Sequence, residues 1–243
     1  MSRSRSEPGA RPLVADGPAG PVPTVVLTPE DAPRPWPLVL FGHGAHLSKD
    51  DEVMGLIARA FTRVPAAVAL IDCPGHGARR PAGQSDEEFD ATVRRHMADP
   101  ATHAQLVGEW KAVADAVRRA VPGVGGSSAY VGFSMGSIFG LSIAASLEVR
   151  AAVFALGGLV AEDRPGAGEI NRMIRDGAAR LGGCDVLMLN MTVDESFPIA
   201  GAIEVLTTIP GPRRMGVWVG GHNDIPPEAV SMAVRHLRHA FSQ

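Results

Sequence analysis

Unbroken apolar runs recur along this chain, and between them lie segments whose apolar positions return at helical spacing. Residues 24–27 form a short strand candidate followed by a Pro/Glu/Asp turn. Residues 37–41 are an apolar strand ending in Gly42-His43-Gly44, and 51–63 show helical periodicity with Val53, Ile57, Ala60 and Phe61 on one face. Residues 66–71 are a continuous apolar strand closed by Asp72-Cys73-Pro74-Gly75-His76-Gly77, and 86–120 hold one long or two shorter helices broken at Pro100. A strand at 129–131 leads through a turn into a helix over 137–147. Strands at 150–156, 185–191 and 214–219 then alternate with helices at 162–181, 196–206 and 227–241. Strands that are apolar throughout are buried on both faces, so the pattern predicts an α/β fold with a doubly wound, mostly parallel sheet of six such strands. Residues 1–22, rich in Pro, Gly, Ala and Arg, are expected to be a flexible arm, and 23–243 a single domain.

Composition narrows the classes. The 243 residues carry 23 basic and 26 acidic side chains, a net charge of −3, with no long run of one sign, so the footprint of a nucleic-acid binder is missing. The basic residues are nearly all Arg, with lysine only at Lys49 and Lys111, which reads as coding bias rather than phosphate recognition. Cys73 and Cys184 each lie in or beside an apolar run and are expected to be buried free thiols. The N-terminus lacks the apolar core of a secretory signal, and no apolar run approaches the ~20 residues of a membrane span; a cytoplasmic location is the default expectation.

In open α/β sheets ligands bind at the carboxyl ends of the strands, and four such ends carry suggestive groups: Gly42-His43-Gly44-Ala45, Ser134, Asp194 and His222. Ser134 sits in Gly132-Phe133-Ser134-Met135-Gly136, between a strand and a helix, where a nucleophile elbow would hold its hydroxyl up at the strand's edge. The alternative is a serine that caps the following helix. A serine hydroxyl needs an adjacent base. His222, after Gly220-Gly221 and the last strand, is the one histidine that follows both the serine and a terminal strand. Of the others, His236 and His239 read as solvated positions on the last helix, and His96 and His103 fall in the polar helical insert. Asp194, ending a strand and its short loop, is the acid that would orient the imidazole, with Glu195 as the adjacent competitor. The N–H groups of Met135 and Ala45 are the oxyanion-hole donors this arrangement calls for, each worth ~3 kcal/mol in the transition state. His43 is read as a brace for its loop. Asp72 and its neighbours are read as a turn, with substrate contact by His76 the alternative, and Arg79-Arg80 as solvated loop residues. No Cys/His cluster has zinc spacing, and neither a dinucleotide fingerprint nor a phosphate-binding loop is present, so no cofactor is called for.

Taken together, Gly42-His43-Gly44-Ala45, Asp72-Cys73-Pro74-Gly75-His76-Gly77, Gly132-Phe133-Ser134-Met135-Gly136, Asp194 and Gly221-His222 resemble the α/β-hydrolase superfamily over residues 24–243. The resemblance implies a serine triad of Ser134, Asp194 and His222 with oxyanion donors at Ala45 and Met135. The serine sets the chain apart from dienelactone hydrolases, which have Cys, and haloalkane dehalogenases, which have Asp. Only residues 159–183 are available for the cap that members usually carry after the sixth strand, while 78–105 is long enough to cover the site. Asn190-Met191 stands where many members have His-Gly. The implied activity is hydrolysis of small or medium acyl esters through an acyl-enzyme. Alternatives on the same residues are a thioesterase of secondary metabolism, a lyase or cofactor-free oxygenase, and a non-catalytic ligand-binding protein. The expected partner is a small acyl substrate, with no nucleic acid and no membrane span.

Overall fold

The computed structural model describes residues 9–30 and 32–243. Its strands are β1 (Ala10–Gly17), β2 (Gly20–Leu27), β3 (Trp36–Gly42), β4 (Ala67–Ile71), β5 (Val124–Phe133), β6 (Ala151–Ala155), β7 (Asp185–Met191) and β8 (Arg213–Trp218). They form one sheet in the order β1-β2-β4-β3-β5-β6-β7-β8. β1 pairs antiparallel with β2 and β2 with β4; from β4 to β8 every pairing is parallel. The helices are α1 (Glu52–Thr62), α2 (Asp86–Ala98), α3 (Pro100–Ala120), α4 (Met135–Ser146), α5 (Ala167–Ala179), α6 (Ile199–Thr208) and α7 (Pro227–Ser242).

The apolar runs are explained by helices on both faces. Leu38 and Leu40 point to one core with Leu106 and Trp110 of α3, Ile138 and Phe139 of α4 and Ile174 of α5. Val39 and Phe41, the alternate positions, point to a second core with Met54 and Phe61 of α1 and Leu237 of α7. A strand buried on both faces takes apolar side chains on both, which is why its alternation disappears. Helix α4 lies between sheet and neighbours and is almost wholly buried.

The helix boundaries follow local chemistry. The Asp51 side chain caps α1 by accepting from the Val53 and Met54 amides. Ser85 and Glu88 form a capping box at the start of α2. Asp99 ends α2 and caps α3, and Pro100 stands in the first turn of α3, where its missing N–H costs nothing; the break expected at this proline is present.

The N-terminal reading differs from the structure. Residues 1–8 of the expected arm lie outside the described residues, but residues 10–17 and 20–27 form a full-length hairpin closed at Gly17↔Gly20. Pro12, Pro21 and Pro23 hide it in the sequence; Pro12 is on the edge strand β1, and Pro21 and Pro23 lie on the part of β2 before its pairing with β4 begins at Thr24. Cys73 and Cys184 are buried free thiols. Among the described residues no helix is long and apolar enough to cross a membrane.

Candidate active site

The turn after β5 is set by backbone crowding. A Cβ on Gly132 would run into the Gly136 carbonyl, and one on Gly136 would lie 2.5 Å from the Gly42 carbonyl oxygen on the neighbouring strand. Both flanking positions therefore require glycine. Ser134 between them has φ 52° and ψ −114°, a conformation costly for a residue with a side chain. The turn is held by Ser134 N–H donating to Ala155 O (2.9 Å), Tyr130 Oη to Gly136 O (2.8 Å) and the Ser137 hydroxyl, which sits 2.8 Å from both Gly132 O and Ala155 O.

Ser134 does not cap α4: its side chain makes no bond to the helix amides. Its Oγ lies 2.9 Å from His222 Nε2 instead. The other ring nitrogen, Nδ1, is 2.8 Å from Asp194 Oδ2. Asp194 Oδ1 accepts from the Ser196 and Phe197 amides at 2.8 and 2.9 Å, which leaves Oδ2 for the ring. The Asp194 side chain is fully buried. Burial pushes its carboxyl up, but the bonds from His222 and from the Phe197 and Ser196 amides outweigh it and hold it below the usual carboxylate range. A carboxylate at Nδ1 fixes the proton there, so Nε2 presents a lone pair to the serine hydroxyl. Glu195 is exposed and approaches the His222 backbone amide, at 3.5 Å, rather than the ring.

The loop after β3 comes alongside. A Cβ on Gly44 would be 3.8 Å from Ser134 Cβ. Neither the Ala45 nor the Met135 N–H bonds a backbone acceptor among the described residues, and both residues line the same cavity as Ser134. His43, 1% exposed, lies beneath this loop. Its Nε2 accepts from the Cys73 amide at 3.0 Å, so its proton is on Nδ1, which donates to Gly44 O at 2.7 Å. That carbonyl belongs to the peptide whose N–H is Ala45's. His76 holds the next peptide, its Nε2 2.7 Å from Ala45 O. Burial lowers the His76 pKa to about 4, with a further contribution from His43, and burial lowers that of His43 as well. Both imidazoles are neutral in the folded protein near pH 7.

His76 is thus a loop brace; it does not line the cavity. The two rings stand 5.1 Å apart. The signal for this pair was the repetition of Gly-His-Gly at two neighbouring strand ends, Gly42-His43-Gly44 and Gly75-His76-Gly77. Asp72 does bond the loop backbone, accepting from Lys49 and Ala78 amides at 2.8 and 3.0 Å.

Two surface assignments are corrected. Arg79 is not a solvated loop residue: its guanidinium makes two 2.7 Å bonds to the fully buried carboxylate of Glu109 on α3. Arg80 bonds Gln84 O and Asp86 and stacks 4.4 Å over Phe89. His236 is buried, not solvated, with Nε2 3.0 Å from Asp185 O; His239 is exposed. His103 is buried against Phe139, and His96 reaches Pro74 O at 3.1 Å. Asn190, at the position noted before the acid, is buried and ties β7 to Gly157 O at 2.7 Å.

Ser134 and His222 open into a cavity of about 640 Å³. Its walls are largely apolar, with Phe133, Ile138, Leu156 and Phe197 near the serine. Helix α2, within the long segment 78–105, contributes Asp90, Val93, Arg94 and Met97; the segment 159–183 contributes Arg164 and Pro165. The size and lining are those of a small-molecule site.

No protein-family model matches the sequence, and no curated protein matches it. Solved structures do resemble the whole chain. A cold-adapted esterase from an Arctic intertidal metagenomic library, in complex with PEG, has a TM-score of 0.79 over 99% of this chain and 99% of its own at 22% identity. An acetyl xylan esterase from Paenibacillus sp. R4 has 0.74 at 17% identity, over 98% of this chain and 86% of that one. Est1E from Butyrivibrio proteoclasticus, with ferulic acid bound, has 0.71 at 15% identity, over 95% and 100%. These likenesses define the architecture: the chain has the α/β-hydrolase fold, as the sequence resemblance implied.

Proposed function

We propose that the protein is a serine hydrolase that cleaves carboxylic esters of small or medium acyl size through an acyl-enzyme on Ser134. The observation that carries the reading is the continuous chain from Ser134 Oγ to His222 Nε2 (2.9 Å) and from His222 Nδ1 to Asp194 Oδ2 (2.8 Å), with Ser134 and His222 lining the cavity. His222 takes the hydroxyl proton as Ser134 Oγ attacks the ester carbonyl. The imidazolium that forms is stabilised by the buried Asp194 carboxylate. The N–H groups of Ala45 and Met135 receive the oxyanion, and His43, bonded to the carbonyl of the Gly44–Ala45 peptide, holds the first of these donors in place. Collapse of the tetrahedral intermediate expels the alcohol, which takes the proton from His222. Water then repeats the cycle on the acyl-enzyme, with His222 as base, and releases the acid. No step calls for a cofactor.

The strained backbone at Ser134 supports catalysis over passive binding: it holds the hydroxyl toward His222 at a conformational cost that a scaffold would have no reason to retain. The esterases among the structural neighbours agree with this choice of reaction. Turnover of p-nitrophenyl esters from acetate to octanoate, compared with Ser134→Ala, tests it. Hydrolysis by the wild type alone is expected. Equal inactivity of both on every ester and thioester would remove the proposal.

A further inference from the structure

The cavity contains two arginines that the proposed reaction does not use. Arg164, on the loop between β6 and α5, is half-buried; Arg94, on α2, is solvent-exposed and also lines the cavity. Two acids, Asp51 and Asp90, line the same cavity. Asp51 accepts from the Val53 and Met54 amides as the cap of α1, and Asp90 faces His46 at 3.6 Å. Among the described residues neither arginine has a carboxylate partner. Arg164 donates to the Ser196 hydroxyl at 3.2 Å, which leaves most of its five N–H donors unused.

Ser196 links Arg164 to the catalytic loop, because its own amide bonds Asp194 Oδ1. The Arg164 guanidinium is thereby tied to the same short segment that positions the acid. A planar guanidinium with free donors beside a largely apolar wall matches a carboxylate, which it can bind through two parallel bonds. We propose that the substrate is an ester bearing a carboxylate, anchored by Arg164 with Arg94 adding positive charge from α2, while the apolar wall takes the remainder. This rests on the ester-hydrolase reading of the same site and specifies its substrate class.

Two pairs of esters test it, each an anion against a neutral partner: p-nitrophenyl hemiglutarate against p-nitrophenyl valerate, and 4-acetoxybenzoate against its methyl ester. The first places the charge on the acyl side, the second on the alcohol side. The wild type should prefer the charged member of at least one pair in kcat/KM, and the preference should weaken as salt is raised. Arg164→Gln should reduce it about tenfold, Arg94→Gln by less, and Arg164→Lys should keep part of it. Arg119→Gln, on the exposed face of α3, should leave the ratio at the wild-type value. Calorimetric binding of the same esters to Ser134→Ala gives a readout that needs no turnover. If neutral esters are hydrolysed and neither pair shows a charge preference, the carboxylate proposal is overturned and the hydrolase reading stands. If no ester is hydrolysed but the charged members bind preferentially through Arg164, the hydrolase reading falls and the carboxylate site remains.

Discussion

Asp194→Asn isolates what the acid does, because the structure separates its two oxygens by role. Oδ1 accepts the Ser196 and Phe197 amides, and an asparagine carbonyl can still do so. Oδ2, 2.8 Å from His222 Nδ1, is replaced by an NH2 group that can only donate. His222 must then present a lone pair at Nδ1 and carry its proton on Nε2, facing Ser134 Oγ. In that tautomer it cannot take the hydroxyl proton. Loss of the correct tautomer in a serine triad lowers kcat by about 10⁴, equivalent to about 5.5 kcal/mol of barrier. The fold should lose much less, about 1–3 kcal/mol, since neutral bonds replace charge-assisted ones. Initial rates on p-nitrophenyl butyrate and thermal melts of the same preparations separate the two effects. Glu195→Gln is the paired control: an exposed charge beside the backbone amide should change kcat by no more than about twofold. If Asp194→Asn kept more than about a tenth of the activity at full stability, or if Glu195→Gln produced the large loss, the assignment of the acid would be wrong.

Acid should destabilise the protein through its buried histidines. His76 is held neutral with a folded pKa of about 4 against an ordinary 6.5, so the unfolded chain binds the extra proton between those values. Stability contributed by this group is complete above pH 6.5 and is lost as pH falls toward 4, by about 3 kcal/mol. Denaturant titrations across that window should show a steep slope that His76→Gln makes shallower; an equal slope in the variant would contradict the burial argument. Gly136→Ala places a methyl 2.5 Å from a backbone carbonyl of β3, and should cost about 1–3 kcal/mol or more by melting, with activity falling alongside. Glu109→Ala strands the Arg79 guanidinium and should cost about 3–5 kcal/mol, whereas replacing both residues with Met should restore much of it.

The elbow glycines were legible in the sequence because each is fixed by a local constraint. The glycines at 132 and 136 are forced by neighbouring carbonyls, and a histidine after two glycines at a strand end has the reach the serine requires. The helix break at Pro100 was legible for the same reason. What escaped depended on distant partners. Arg79 reads as a loop arginine until α3 brings Glu109, thirty positions on, against it. His236 appears solvated because its contact is the Asp185 carbonyl on β7, fifty-one positions away. The β1–β2 hairpin escaped because its prolines and exposed outer positions imitate a loose arm, and only pairing with β4 gives that segment a place. The roles of His43 and His76 required knowing which carbonyl each ring meets, which spacing alone does not encode.

The central claim is that Ser134 is a nucleophile activated by His222. Incubation with a fluorophosphonate, followed by intact-mass and peptide mass spectrometry, tests it directly. The account predicts one adduct per chain, on Ser134, absent from Ser134→Ala and formed far more slowly by His222→Ala. An unlabelled wild-type protein, or an adduct that persists in Ser134→Ala, would contradict it.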